Sequence, residues 1–211
     1  MPLMSPDDYK ASLQDGRRVF YRGEAVEDVA AHPVIGVAVD HAAIDYEMAH
    51  EGDDRKLAVV EGPNGPYSRY YHIPGNAGNL LKRSALIERA TALGGTLVVL
   101  IKEIGTDALF ALHLIAEHMD REMGTEYLPR VKKFYEHCRD NDLAIAVAQT
   151  DVKGDRAKGP GEQNHPDYYV RVVSEDAEGI TLRGAKIHTS VSTNAHEIIV
   201  LPTRAMGEGD E

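Results

Sequence analysis

The chain has 211 residues, 43% hydrophobic and 27% charged, with 34 acids against 23 bases and a net charge of −11. That length buries a substantial core, and the balance is globular rather than disordered or fibrous. The acidic surface repels nucleic acid, no run of about 18 apolar residues spans a membrane, and the lone Cys138 can form neither an internal disulfide nor a thiolate metal cluster.

The first residues, MPLMSPDDYK, carry acids early and lack the apolar stretch of a secretory signal, so a cytoplasmic location is the expectation. Ser5-Pro6-Asp7-Asp8 predicts a helix start: a serine N-cap, proline at the first helical position, and acids in the first turn. Tyr9, Ala11 and Leu13 supply its apolar stripe, and Asp15-Gly16 ends it. Arg18–Tyr21 and Glu24–Val26 flank Arg22-Gly23, which predicts a small hairpin. His32-Pro33 interrupts the chain, and helical spacing returns over Val34–Ala49 through Ile35, Val39, Ala42, Ala43 and Tyr46.

Glu51–Asn79 reads as a long loop, with Gly62-Pro63-Asn64-Gly65-Pro66 and Pro74-Gly75-Asn76 as breakers. Tyr67, Tyr70 and Tyr71 between them read as an aromatic anchor beneath that loop. Helices are predicted over Asn79–Thr91, Thr96–Met123 and Tyr127–Arg139. The middle one carries Leu97, Ile101, Ile104, Ala108, Ala111 and Ile115 as its packed stripe.

After Asp142 the pattern turns to strands: Leu143–Ala148, Asp167–Glu175, Gly179–Ser190 and Glu197–Pro202. Helices followed by antiparallel strands predict an α+β chain, divided into a mainly helical domain at 1–140 and a β middle domain at 141–211. Gly207–Glu211 reads as a solvated end.

Two segments carry chemistry. In Gln149-Thr150-Asp151-Val152-Lys153-Gly154-Asp155-Arg156, small and hydroxyl residues follow a strand and leave backbone N–H groups open to a planar ring. Thr150 can donate or accept at the ring edge, and Lys153 or Arg156 can favour a reduced, anionic flavin. The plain alternative is a polar turn with an Asp155–Arg156 ion pair. The second segment, Leu182–Ser190, contains an Arg183-Gly184 turn, an exposed His188, and Thr189 at a strand end. None of the ten histidines has a metal-binding spacing, and no G-x-S-x-G elbow, P-loop or dinucleotide fingerprint occurs.

The run from AVAQTDVKGDR through RGAKIHTSVSTNAHEIIVLPTRAM, together with DDYKASLQDGRRVFYRGEAVEDVAAHP, resembles the 4-hydroxyphenylacetate 3-hydroxylase family, which includes 4-hydroxybutyryl-CoA dehydratase. The resemblance covers nearly the whole chain. It implies an acyl-CoA-dehydrogenase-like fold in which N-terminal helices precede a β-barrel-like middle domain holding FAD, without the family's C-terminal helical domain. It carries flavin contacts onto Gln149, Thr150, Lys153, Gly154, Asp155, Arg156 and Thr189.

The implied activity is an FAD-dependent oxidoreductase module that uses reduced flavin and O₂ to hydroxylate a phenol. Implied partners are a flavin reductase and a C-terminal partner subunit in an oligomer. A dehydratase-like flavin enzyme acting on an acyl-CoA without an iron–sulfur cluster is the alternative, and an inactive structural subunit is the third reading. The family's catalytic positions do not carry over. Val99 and Glu103 stand where the dehydratase branch has cluster cysteines, and Ile104, Ala108 and Val147 stand where the hydroxylase branch has Arg, Tyr and His. Catalytic residues therefore stay unassigned, with Glu103 a candidate base on the acyl-CoA reading.

Overall fold

The computed structural model describes residues 3–202. Helix α1 (Pro6–Ser12) starts as its sequence dictates. The Ser5 hydroxyl accepts the Asp8 N–H at 3.1 Å, while Asp8 Oδ2 accepts the Ser5 N–H at 3.0 Å, closing a capping box. Strands β1 (Val19–Tyr21) and β2 (Glu24–Val26) form the expected hairpin. Its turn residues Arg22 and Gly23 sit at φ 52° and 90°, the left-handed pair that matches strand twist. Helix α2 (Ile35–Glu47) buries Val39, Ala42, Ala43 and Tyr46 as its spacing predicts. His32, read as an interruption, supplies a cap: its Nδ1 accepts the N–H groups of Val34 and Ile35.

The predicted loop at 51–79 is more ordered than its breakers suggest. It contains helix α3 (Asp54–Ala58), hairpin strands β3 (Val59–Gly62) and β4 (Gly65–Ser68), and a 3-10 turn at Arg69–Tyr71. Gly62 pairs with Gly65, so Pro63-Asn64 is a two-residue turn and the breakers close a hairpin. Tyr70 and Tyr71 are the expected anchors, buried fully rather than partly.

Helix α4 (Ala77–Leu93) is followed by α5 (Glu103–Met123) and α6 (Tyr127–Asp140). The predicted start of α5 at Thr96 is corrected to Glu103. Gly95 and Thr96 adopt φ 68° and 73°, which ends the helical path, and Val99 and Ile101 are buried from a non-helical segment. The predicted stripe is corrected too. Leu97, Ile104 and Ile115 are exposed, and α5 buries Gly105, Thr106, Leu109 and Ala116 instead. Arg83 of α4 rivets this region. Its guanidinium donates to the carbonyls of Tyr70 and Glu103, to Thr106 Oγ1 and to Asp107 Oδ1, at 2.7–3.1 Å.

Strand β5 (Ile145–Ala148) pairs with β8 (Glu197–Val200) in parallel, not antiparallel as the strand order suggested. Among the described residues after Asp142, β6 (Arg171–Asp176) and β7 (Gly179–Arg183) form the antiparallel strand pair, beside an isolated antiparallel bridge of Asp151 with Lys186. Every residue of both strands is exposed. The expected strand over Asp167–Glu175 begins late because Pro166–Tyr168 is a 3-10 turn. Among the described residues the strands form four separate two-stranded sheets, so helix and sheet mix as expected but no closed barrel forms. Gly207–Glu211 lies outside the described residues.

One face of β5–β8 packs on α5 and α6: Ile145 and Ile199 join Leu109, Tyr135, Tyr71 and Cys138. Burial pushes the Cys138 thiol up to about 12, making it a packing group. A second core gathers α1, α2, α3, Ala144 and Ala146 around the stacked rings of Tyr9 and Tyr46, 4.4 Å apart.

His196 ties these parts together. Its Nδ1 accepts the Ala144 N–H at 2.9 Å, so the proton sits on Nε2, which donates to Ser12 Oγ at 2.7 Å. Burial, then the charges of Arg17 and Lys102, lower its pKa from 6.5 to about 4. The unfolded chain therefore takes up the proton first, and stability falls as pH drops from about 6.5 to about 4. The loss is on the order of 3 kcal/mol at about 1.4 kcal/mol per unit. Urea titrations at pH 7.5 and 4.5 measure it, with the stability difference between wild type and His196→Gln shrinking by that amount at the lower pH. A pH-independent difference would remove His196 as the source.

Candidate functional site

Behind β5–β8, on the side away from the helices, lies an open cleft of about 510 Å³. Its walls are Ala148, Ile198 and Val200 from the sheet, Val170 and Leu182 from the base of the β6–β7 hairpin, and Thr189. Alternation explains the wall: Ile199 points to the helices, so Ile198 and Val200 face the cleft.

Thr189 is the predicted residue that lines this cleft. Its Oγ1 is buried and has no hydrogen-bond partner among the described residues. A buried hydroxyl without a partner costs about 1–3 kcal/mol, so its placement calls for a partner beyond the described residues. Backbone strain concentrates here as well. His188 and Val191 adopt φ 55° and 57°, and a β-branched residue in the left-handed region is costly. The Val191 carbonyl accepts the N–H groups of Asn194 and Ala195 at 3.0 and 2.9 Å. Asn194 is pinned to α1, with the Tyr9 hydroxyl donating to its carbonyl at 2.9 Å and its Nδ2 donating back to that hydroxyl at 3.0 Å. His188 is exposed, as the sequence suggested.

The two chemistry-bearing segments do meet. The Ile187 N–H donates to the Thr150 carbonyl at 2.9 Å, and Asp151 bridges to Lys186. Lys186 is a clamp that sequence reasoning missed. Its Nζ donates to the Gln149 carbonyl at 2.9 Å, to the Leu201 carbonyl at 2.7 Å and to the Asp151 carboxylate. It is held inside rather than projecting as a lysine ordinarily does. Its place in the Arg183–Thr189 motif was the available signal.

Gln149 and Thr150 follow the cleft-lining Ala148 in the chain but do not themselves line the cleft, and the Thr150 carbonyl joins them to the segment that carries Thr189. Lys153, Gly154, Asp155 and Arg156 are not cleft-lining. They form an exposed loop folded around Gln163, whose Oε1 accepts the Asp155 N–H at 2.9 Å and whose Nε2 donates to the Asp155 carbonyl at 2.9 Å. Lys153 and Gly154 take φ 78° and 45°, and the Tyr169 hydroxyl donates to the Lys153 carbonyl at 3.3 Å.

The candidate base Glu103 is half-buried at the first turn of α5, with Oε2 buried and without a hydrogen-bond partner among the described residues. Burial and the nearby Asp107 raise its pKa. Among the described residues no group of three or more His, Cys, Asp or Glu side chains is placed to hold a metal, and no helix is long and apolar enough to cross a membrane.

Comparison with known proteins fits this geometry. A 4-hydroxybutyryl-CoA dehydratase/vinylacetyl-CoA-Δ-isomerase of Clostridium aminobutyricum is 30% identical over 99% of this chain and 43% of its own length. The 4-hydroxyphenylacetate 3-monooxygenase oxygenase component of Thermus thermophilus is 28% identical over 92% and 39%. Among solved structures, an oxygen-tolerant archaeal 4-hydroxybutyryl-CoA dehydratase from N. maritimus superposes with a TM-score of 0.89 at 32% identity, covering 99% of this chain and 42% of that one. The oxygenase component of 4-hydroxyphenylacetate 3-monooxygenase complexed with FAD shares the fold, with a TM-score of 0.86 at 24% identity and coverage of 98% and 42%. The chain thus spans less than half the length of these relatives. Residues 5–211 match the family described as 4-hydroxyphenylacetate 3-hydroxylase N terminal, and the chain belongs to that family.

Proposed function

We propose that the chain is the flavin-facing part of an FAD-dependent monooxygenase that hydroxylates a phenolic substrate. The observation that carries this is the unpartnered, buried Thr189 hydroxyl on an apolar cleft wall, in a chain whose family includes a relative with FAD bound. Bound in reduced form, FAD would supply two electrons, so that one oxygen atom of O₂ enters the phenol ring and the other leaves as water.

The chain's own part is to hold and shield. Thr189 gives a hydrogen bond at the ring edge, and Gln149 and Thr150 offer strand-end backbone groups. Gly154 and Asp155 shape the loop beside them, from which Lys153 and Arg156 contribute positive charge. Ala148, Ile198 and Val200 exclude water from one face. On this reading residues 1–140 act as the helical support and 141–211 as the cofactor domain of an acyl-CoA-dehydrogenase-like fold. The protein works in the cytoplasm with a separate flavin reductase, as an oligomer.

Titrating FAD into the protein and following quenching of flavin fluorescence tests this. Saturable quenching is expected, with Thr189→Val weakening affinity about tenfold, one hydrogen bond's worth. Absence of quenching would reject the proposal.

A second reading is favoured by the higher identity to the two dehydratases, at 30% and 32%. On it the same flavin cleft serves a hydroxyacyl-CoA, with Glu103 as base. Turnover of phenols but not of hydroxyacyl-CoA thioesters would decide for the first reading, and the reverse for the second. Flavin binding without turnover of either class would leave a structural subunit.

A further inference from the structure

Between α2, the 3-10 turn and the first turn of α5 lies a polar cluster apart from the cleft. Asp45 is 3% exposed and Tyr70 1%. Both Asp45 carboxylate oxygens, the Tyr70 hydroxyl and Glu103 Oε2 are buried without a hydrogen-bond partner among the described residues. The Tyr70 hydroxyl is the neighbouring donor to Asp45, short of a formed hydrogen bond.

The surrounding charges are already committed. Lys102, ahead of α5, pairs with Asp142 at 2.6 Å, and Arg83 of α4 pairs with Asp107 at 2.7 Å. Tyr9 of α1 also faces the group, and its own pKa is raised chiefly by burial. The described surroundings of Asp45 and Glu103 thus contain two cations, each salt-bridged to a different carboxylate. An ionised Asp45 carboxylate sealed from water without a donor, beside the half-buried Glu103, costs more than taking up a proton near neutral pH.

We propose that Asp45 and Glu103, with the Tyr70 hydroxyl, form an internal acid site that holds one proton, with Asp45 as its carrier. The site is a pH-sensitive device beneath the start of α5. When the proton leaves, an uncompensated charge stands against the segment that seats that helix. Burial supports the assignment by raising Asp45 from 3.8 to about 7, against the opposing pull of Lys102.

The folded chain keeps this proton through a window in which the unfolded chain has released it. Stability from Asp45 is therefore full below pH 3.8 and is lost as pH rises to about 7. That slope opposes the one from His196 between about pH 4 and 6.5, so wild type alone can be flat there. The comparison with Asp45→Asn isolates it.

Thermal unfolding of both proteins at about pH 5 and about pH 7.5 should show Asp45→Asn gaining about 5 °C on wild type at the higher pH. A difference in Tm that does not change with pH overturns the proposal. Carbon-13 NMR of wild-type protein labelled at aspartate carboxyls reads the site without a variant. One carboxyl titrating near neutral supports it, and all titrating below about pH 5 overturn it. A wild-type Tm at about pH 8 that rises in potassium over choline chloride, with no such rise in Asp45→Asn, would make the occupant a cation and overturn the proton.

Discussion

Replacing Lys102 with methionine is expected to cost about 3–5 kcal/mol, enough to threaten a fold whose total stability is typically about 5–15 kcal/mol. The side chain is fully buried, with Nζ 2.6 Å from Asp142 Oδ1 and 3.8 Å from the centroid of the Tyr46 ring. Asp142 is itself buried, and its other oxygen accepts the Met4 N–H at 3.2 Å. Without the lysine, the Asp142 charge remains in a dry pocket with a single backbone donor, and Asp45 loses the cation that lowers its pKa. The size of the loss reflects the abandoned partner more than the worth of the pair. The double replacement Lys102→Met with Asp142→Asn should therefore recover most of it. Urea unfolding of the two single variants and the double variant gives the coupling. A loss below about 1 kcal/mol for Lys102→Met would mean that water reaches the pocket and that the pair behaves as a surface ion pair.

Gly105→Ala should be the most damaging single methyl addition on α5. A Cβ there would lie 2.3 Å from Ile145 Cβ and 2.5 Å from the Ile145 carbonyl oxygen. The oxygen belongs to β5, whose Ile145 N–H is bonded to the Ile101 carbonyl at 3.1 Å, so neither backbone can step aside cheaply. Overpacking of this kind costs about 1–3 kcal/mol and occasionally more, and a contact with backbone belongs at the upper end. Gly78→Ala in α4 is the control. Its nearest neighbour would be the Asn76 side-chain oxygen at 3.1 Å, and alanine's helix propensity favours it by up to about 1 kcal/mol. Denaturant midpoints should move in opposite directions. Equal shifts would show that α5 and β5 separate freely.

Local chemistry was legible from the residues alone. Ser5-Pro6, Arg22-Gly23 and the α2 stripe each fix a conformation within a few positions, and each folds as its residues require. The failures needed distant partners. Gly62-Pro63-Asn64-Gly65 carries the same signal whether a loop wanders or a hairpin closes, and only the pairing of Val59 with Ser68 decides it. The apolar residues of α5 occupy more than one face, so periodicity identified a helix without choosing the side that Leu109 and Gly105 bury. Nothing in Ile145–Ala148 or Glu197–Val200 records that the two run parallel, because their pairing depends on how the long intervening segment returns.

The candidate site divides the same way. Thr189, the one of the predicted residues that lines the cleft, was visible as a hydroxyl at a strand end. Lys186 and Asp45 were not, since a lysine in a turn and an aspartate in a helix both read as solvent-facing until the fold buries them.

The parallel β5–β8 pair also sets how the molecule comes apart. Everything from Gln149 to His196 is an excursion that leaves one strand and returns beside it, and its β6–β7 hairpin is exposed throughout. Opening the β6–β7 hairpin exposes little new apolar area, while separating β5 from β8 strips Ile145 and Ile199 from the helical core. The Asn194-Ala195 end of the excursion stays anchored in the interior. The two events therefore have different free energies, and the hairpin can fray repeatedly without the core noticing. A ligand seated in the cleft acts first on the cheaper event. It adds its binding free energy to the closing of the hairpin, at whose base Val170 and Leu182 line the cleft, so an exposed, lightly held region becomes the one most stiffened by occupancy.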